Sequence, residues 1–132
     1  YTVADPRNVC PTDWHVPTDA EWSAFINYLD PNADGGIAIP NTAGGKMKST
    51  GTQYWQSPNM GATNESGFSG LPGGLHGTTG SFNYIGEYGD WWSSTESVTD
   101  RAWVRGLNKD DGSVSRTRWT KVEGFTVRCL RD

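Results

Sequence analysis

Between Gly51 and Asp90 the chain passes through "SPNMGATNESGFSGLPGGLHGTTGSFNYIGEYGD", which holds neither a helical nor a strand period for long. A stretch of this length and composition excludes a helix bundle, and taken alone it would read as disorder. Phe68, Leu71, Phe82, Tyr84, Ile85 and Tyr88 recur along it, however. The expectation is therefore an ordered coil, whose glycines let the backbone pass close to flat rings. The whole chain shares this bias: 17 glycines and 7 prolines in 132 residues suit short strands joined by many turns. Only 34% of residues are apolar but 12% are aromatic, so the core is expected to rest on rings rather than aliphatic chains. The length fits one domain, residues 1–132.

Around this coil the local signals are sharper. In "VPTDAEWSAFINYLD" Thr18 is placed as a helix cap, with Glu21 completing a capping box. Trp22, Phe25, Ile26 and Leu29 fall on one face, which predicts a helix over 18–29. A second, short helix is expected around residues 42–49, in "NTAGGKMKSTG". The last third alternates in short runs, "WWSST", "AWVRGL", "SVSRTRW" and "GFTVRCL", each read as a strand. The class is α+β, one or two helices packed on short antiparallel strands with long glycine-rich loops.

Charge and motif content exclude several functions. A net charge of −4 and a pI near 5.0 argue against a general nucleic-acid binder. No run approaches the roughly 18 apolar residues of a membrane span, so no membrane insertion is expected. "GATNESGFSGLPGG" lacks the ending and the preceding strand of a phosphate loop, and no Gly-x-Ser-x-Gly elbow occurs. His15 reads as a hydrogen-bonded structural histidine and His76 as a loop residue; no catalytic residue is assigned. No cofactor is expected beyond calcium, for which Asn64 and Glu65 are the best candidates, against their serving as turn and capping groups. Cys10 and Cys129 lie near opposite ends of the chain. They form either a disulfide, if the termini meet, or two buried free thiols.

The hairpin around "KDDGS" allows two registers. A two-residue Asp111-Gly112 turn sets Arg105 opposite Arg118 and Leu107 opposite Arg116, and facing like charges are unfavourable. A three-residue Asp110-Asp111-Gly112 loop sets Trp103 opposite Trp119 and Arg105 opposite Thr117, and is expected instead. It would make one exposed ligand-binding face of Trp103, Arg105, Thr117 and Trp119, bordered by Asn108, Asp110 and Asp111. Indole faces stack on the apolar side of a sugar ring, and Trp and Arg also anchor protein interfaces. The alternative is that one of Trp103 and Trp119 belongs to the core.

The phrases "CPTDWHVPTDAEW", "AGGKMKSTGT", "GATNESGFSGLPGG", "WWSSTE" and "GFTVRCLRD", in this order from about Cys10 to Asp132, resemble the Fibrobacter succinogenes major paralogous domain family. The resemblance implies a C-type-lectin-like fold, related to formylglycine-generating enzymes and to retroelement-diversified receptors. It also implies that the end segments meet, which supports a Cys10–Cys129 bridge. The redox activity of those enzymes does not carry over, because the cysteines here match the family's structural pair. The expected function is a non-catalytic extracellular or cell-surface module of a larger bacterial protein, binding a glycan or a surface protein. Its variable residues, in a diversified receptor, would lie between about Glu96 and Thr120. The alternative is a structural or adhesin-spacer domain with no ligand of its own.

Overall fold

The computed structural model describes Val3 and residues 5–132. Helix α1 spans Asp19–Leu29 and starts as its sequence dictates. The Thr18 hydroxyl accepts the Glu21 N–H at 3.2 Å, and the Glu21 carboxylate accepts the Thr18 N–H at 2.8 Å. Trp22 and Ile26 are buried, with Phe25 and Leu29 packed beside them. Helix α2, Ala43–Met47, falls within the expected range, and its glycines serve close packing. A Cβ on Gly44 would lie 2.1 Å from the Ser113 carbonyl oxygen, and one on Gly45 2.1 Å from that of Gly61. A 3-10 turn at Asp34–Gly36 links the two helices.

Seven strands complete the α+β architecture. β1 (Trp14–His15) pairs antiparallel with β7 (Leu130–Arg131), and β2 (Leu75–His76) with β3 (Phe82–Asn83). The main antiparallel sheet runs β4 (Tyr88–Val98), β5 (Arg101–Asn108), β6 (Ser115–Thr120). The β1–β7 pair brings the end segments together, and a Cys10–Cys129 disulfide lies beside it. The strand expected in "GFTVRCL" is corrected. This segment makes single bridges, Gly124 to His76 and Thr126 to Trp91, and only its end enters β7. It leaves the edge of β4 after one exchange of hydrogen bonds because Cys129 must reach Cys10.

The coil from 51 to 90 is ordered by side chains that bond its backbone. Asn59 donates to the carbonyls of Ser49 and Gly51, and the Trp55 indole to that of Gly70. Lys48, fully buried, directs its ammonium to the carbonyl oxygens of Met60, Asn108 and Asp111 at 2.7, 2.9 and 2.8 Å. Three acceptors use its three N–H bonds, and burial still draws its pKa down to about 8.

The sheet has apolar groups on both faces. Its inner face packs Trp91, Leu107 and Val114 with Trp22, Ile26, Met47 and Trp55. On its outer face Trp92, Ala102 and Val104 meet Phe125 and Val127, which cover only part of it. The uncovered part is where the candidate site lies.

Candidate functional site

The β5–β6 register differs from the expected one by a residue. Trp103 pairs with Arg118, Arg105 with Arg116, Val104 with Thr117 and Ala102 with Trp119. Residues directly opposite share a face, so Trp103 and Arg105 lie on the inner side of the sheet and Thr117 and Trp119 on the outer side. The single face expected from sequence is not formed.

The physical reason is Asp19, in the first turn of α1. Its Oδ1 accepts from Arg105 Nη1 at 2.8 Å and from Arg116 Nε at 3.0 Å, and its Oδ2 from Arg116 Nη2 at 2.7 Å. One carboxylate thus neutralises two guanidiniums that face each other across the strands. Burial works to raise the Asp19 pKa, but the two arginines prevail and hold it below the usual carboxylate range. Arg105 is fully buried and also bonds Ser23 Oγ at 2.9 Å, so it has no access to a ligand. The Arg116 guanidinium stacks 3.6 Å from the Trp103 ring centroid and occupies that ring's face.

The outer face holds a groove of about 380 Å³ between the sheet and two loops. Asn108, Asp111, Thr117 and Trp119 of the expected residues line it. Asp110 does not; it is exposed and pairs with Lys109. Among the lining residues that the sequence reading did not assign to a site are Tyr84, Tyr88 and Asp90. From Ser115 to Trp119 it follows β6 for about 13 Å.

Each of these residues is positioned by the fold. Asp90, Gly106 and Ser115 form one row across the three strands. Gly106 has no side chain there for a steric reason: a Cβ would stand 2.6 Å from Asp90 Oδ1 and 2.9 Å from Ser115 Oγ. Burial pushes the Asp90 carboxyl up to about 7, and no ion pair or side-chain hydrogen bond among the described residues offsets this. Tyr84 holds φ +60°, a left-handed conformation uncommon for a bulky residue. Its carbonyl accepts the N–H of Glu87 and of Tyr88, and its ring meets that of Tyr88 edge-on at 5.4 Å. Strain held by such over-determined surroundings is a mark of functional loops. Trp119 is 39% exposed and braced from behind by the edge of Phe125 at 5.6 Å. The mid-strand glycine of "VRGLN" was the available sequence signal, since glycine inside a strand marks a close approach.

A larger cleft, about 580 Å³, is lined by Trp92, Phe125 and Val127 among others. Those side chains already pack on one another, and its Lys121 is held by Glu96 and the Thr99 carbonyl. Two of the other candidates, His15 and Asn64, are engaged structurally. His15 bonds Asp132 at 2.5 Å and Glu21 at 3.0 Å, which raises its pKa. The Asn64 amide closes its own turn onto Ser69 through both its oxygen and its nitrogen. Glu65 is exposed, and no group of three or more His, Cys, Asp or Glu side chains suited to a metal occurs among the described residues.

No curated protein and no solved structure matches the chain. The family model of the Fibrobacter succinogenes major domain matches residues 1–131, nearly the whole length. Five scattered phrases and this full-length match agree, and the chain belongs to the Fibrobacter succinogenes major domain family.

Proposed function

We propose that the chain is a non-catalytic recognition module of a bacterial surface protein, with a C-type-lectin-like fold, and that it holds a glycan in the outer groove of its sheet. The observation that carries this reading is the cluster of Tyr84, Tyr88 and Trp119, 54%, 43% and 39% exposed, around an unpaired Asp90 in one concave site. Ring faces stack on the C–H side of a pyranose, while Asn108, Ser115, Thr117 and the carboxyls bond its hydroxyls. A disulfide persists in oxidising surroundings, which supports an extracellular place of work. Among the described residues no helix is long and apolar enough to cross a membrane.

A glycan array followed by calorimetric titration of the best ligand tests this reading. Trp119→Ala should weaken binding at least tenfold while Trp103→Ala leaves it within about twofold, a tenfold loss being about 1.4 kcal/mol. Binding that follows Trp103 instead would overturn the groove assignment. An array without hits, joined to capture of a surface protein through Trp119, would move the ligand class to protein. No ligand of either kind would favour the spacer alternative. For the diversified-receptor form of the reading, the encoding DNA decides: a neighbouring template repeat differing at adenines across Glu96–Thr120 is the expected sign.

A further inference from the structure

The groove's chemistry narrows its ligand further, on the reading that the groove is the binding site. We propose that it takes an ammonium group, carried by the ligand as a primary or methylated amine, held against Tyr84, Tyr88 and Trp119 with Asp90 and Asp111 as counter-charges. An aromatic ring presents a negative face that attracts a cation, and several rings converging on a carboxylate strengthen the attraction as water is excluded.

The distribution of charge around the sheet supports this choice. The groove lining includes two carboxyls and no lysine, arginine or histidine. The nearby cations are directed elsewhere. Arg105 and Arg116 are bound to Asp19 on the inner face, and Arg118 shares that face by its pairing with Trp103. Lys48 bonds backbone carbonyls of the hairpin loop, that of Asp111 included, and its charge acts on the Asp111 carboxylate, whereas the Asp90 carboxyl has no such cation. Asp111 Oδ1 accepts the Ser113 N–H at 2.7 Å, and its Oδ2 has no hydrogen-bond partner among the described residues. The Asp90 carboxyl has no ion-pair or hydrogen-bond partner among the described residues, at a floor that Gly106 keeps open. An incoming ammonium supplies the missing charge partner; a neutral hydroxyl does not.

Two matched pairs of probes test the proposal on the intact chain. Oligomers of glucosamine are compared with glucose oligomers of the same length, and choline with its neutral isostere 3,3-dimethylbutanol. The expected result is at least tenfold tighter binding of the charged member in each pair, with Asp90→Asn removing most of the difference. Choline does not titrate, so its affinity should also rise between about pH 5.5 and 8 as Asp90 ionises, and stay flat in Asp90→Asn. The titratable groups facing Asp90 are Tyr84, Tyr88 and Asp111, with Lys48 bonded to the loop; the Asp90→Asn profile separates its contribution from theirs. If glucose and glucosamine oligomers bind equally, the glycan groove stands and the ammonium proposal is overturned. If choline binds and no sugar does, the ammonium proposal stands and the glycan reading falls. If no probe binds, both are overturned.

Discussion

Replacing Asp19 with alanine removes the only carboxylate among the described residues within salt-bridge distance of Arg105, whose side chain is wholly buried, and of Arg116. Arg105 keeps two acceptors, the Asp19 carbonyl at 3.2 Å and Ser23 Oγ at 2.9 Å, but neither carries charge. Breaking a buried pair from one side costs about 3–5 kcal/mol, because the remaining ion stays desolvated. Asp19 is 15% exposed, so solvent screens little of this loss. At roughly 4 °C per kcal/mol for a chain of this size, Asp19→Ala should melt roughly 12–20 °C lower. Arg105→Met removes the buried charge itself, leaves Asp19 paired with Arg116, and should cost only about 1–2 kcal/mol. Thermal or denaturant unfolding of both single variants and the double variant closes a cycle, in which a coupling of at least about 2 kcal/mol is expected. The sign of the pH dependence follows from the lowered Asp19 pKa: the contribution is complete above 3.8 and fades as pH falls through the folded value. An Asp19→Ala protein melting within about 2 °C of the parent would refute the claim that this carboxylate holds the hairpin register.

Three further outcomes are expected. Reducing the Cys10–Cys129 bridge, which spans a sequence separation of 119, should lower stability by about 4–5 kcal/mol, read by unfolding with and without reductant. Asp90 titrates higher in the fold than in the unfolded chain, so stability should decline as pH rises from 3.8 to about 7 and then level off. Asp90→Asn should flatten that slope and gain at most about 4 kcal/mol at pH 8, measured by melts across the range. Trp119→Ala should cost about 1 kcal/mol or less, whereas Trp91→Ala, emptying a buried site, should cost about 3–5 kcal/mol by the same melts.

The parts of the fold that the sequence disclosed are those decided by near neighbours. The capping box of Thr18 and Glu21 and the stripe of Trp22, Phe25, Ile26 and Leu29 act within one helix, and α1 forms where they place it. The hairpin register is different in kind. Local charge repulsion argues against setting Arg105 opposite Arg118 and favours Thr117 there, yet the register that forms sets Arg105 opposite another arginine, Arg116, because Asp19, distant in sequence, sits between them. No inspection of "AWVRGLNKDDGSVSRTRW" alone supplies that carboxylate. The glycine-rich coil is legible as ordered from its aromatics, but its path depends on single donors such as Lys48 and Asn59 reaching carbonyls far along the chain. For the site, Asn108, Asp111, Thr117 and Trp119 were within reach of hairpin reasoning. Tyr84, Tyr88 and Asp90 join them only when β4 is paired with β5 in space.

The central claim is that ligand enters the outer groove rather than the arginine-filled inner face, and the indole N–H signals of Trp119 and Trp103 report on those two sides separately. In a titration followed by proton–nitrogen correlation spectra, with the glucosamine oligomer as probe, the Trp119 indole signal and the backbone signals of Tyr84, Asp90 and Thr117 should shift together and saturate. The Trp103 signal, beneath the stacked Arg116, should stay in place. A saturating shift of Trp103 with Trp119 unmoved would contradict the account.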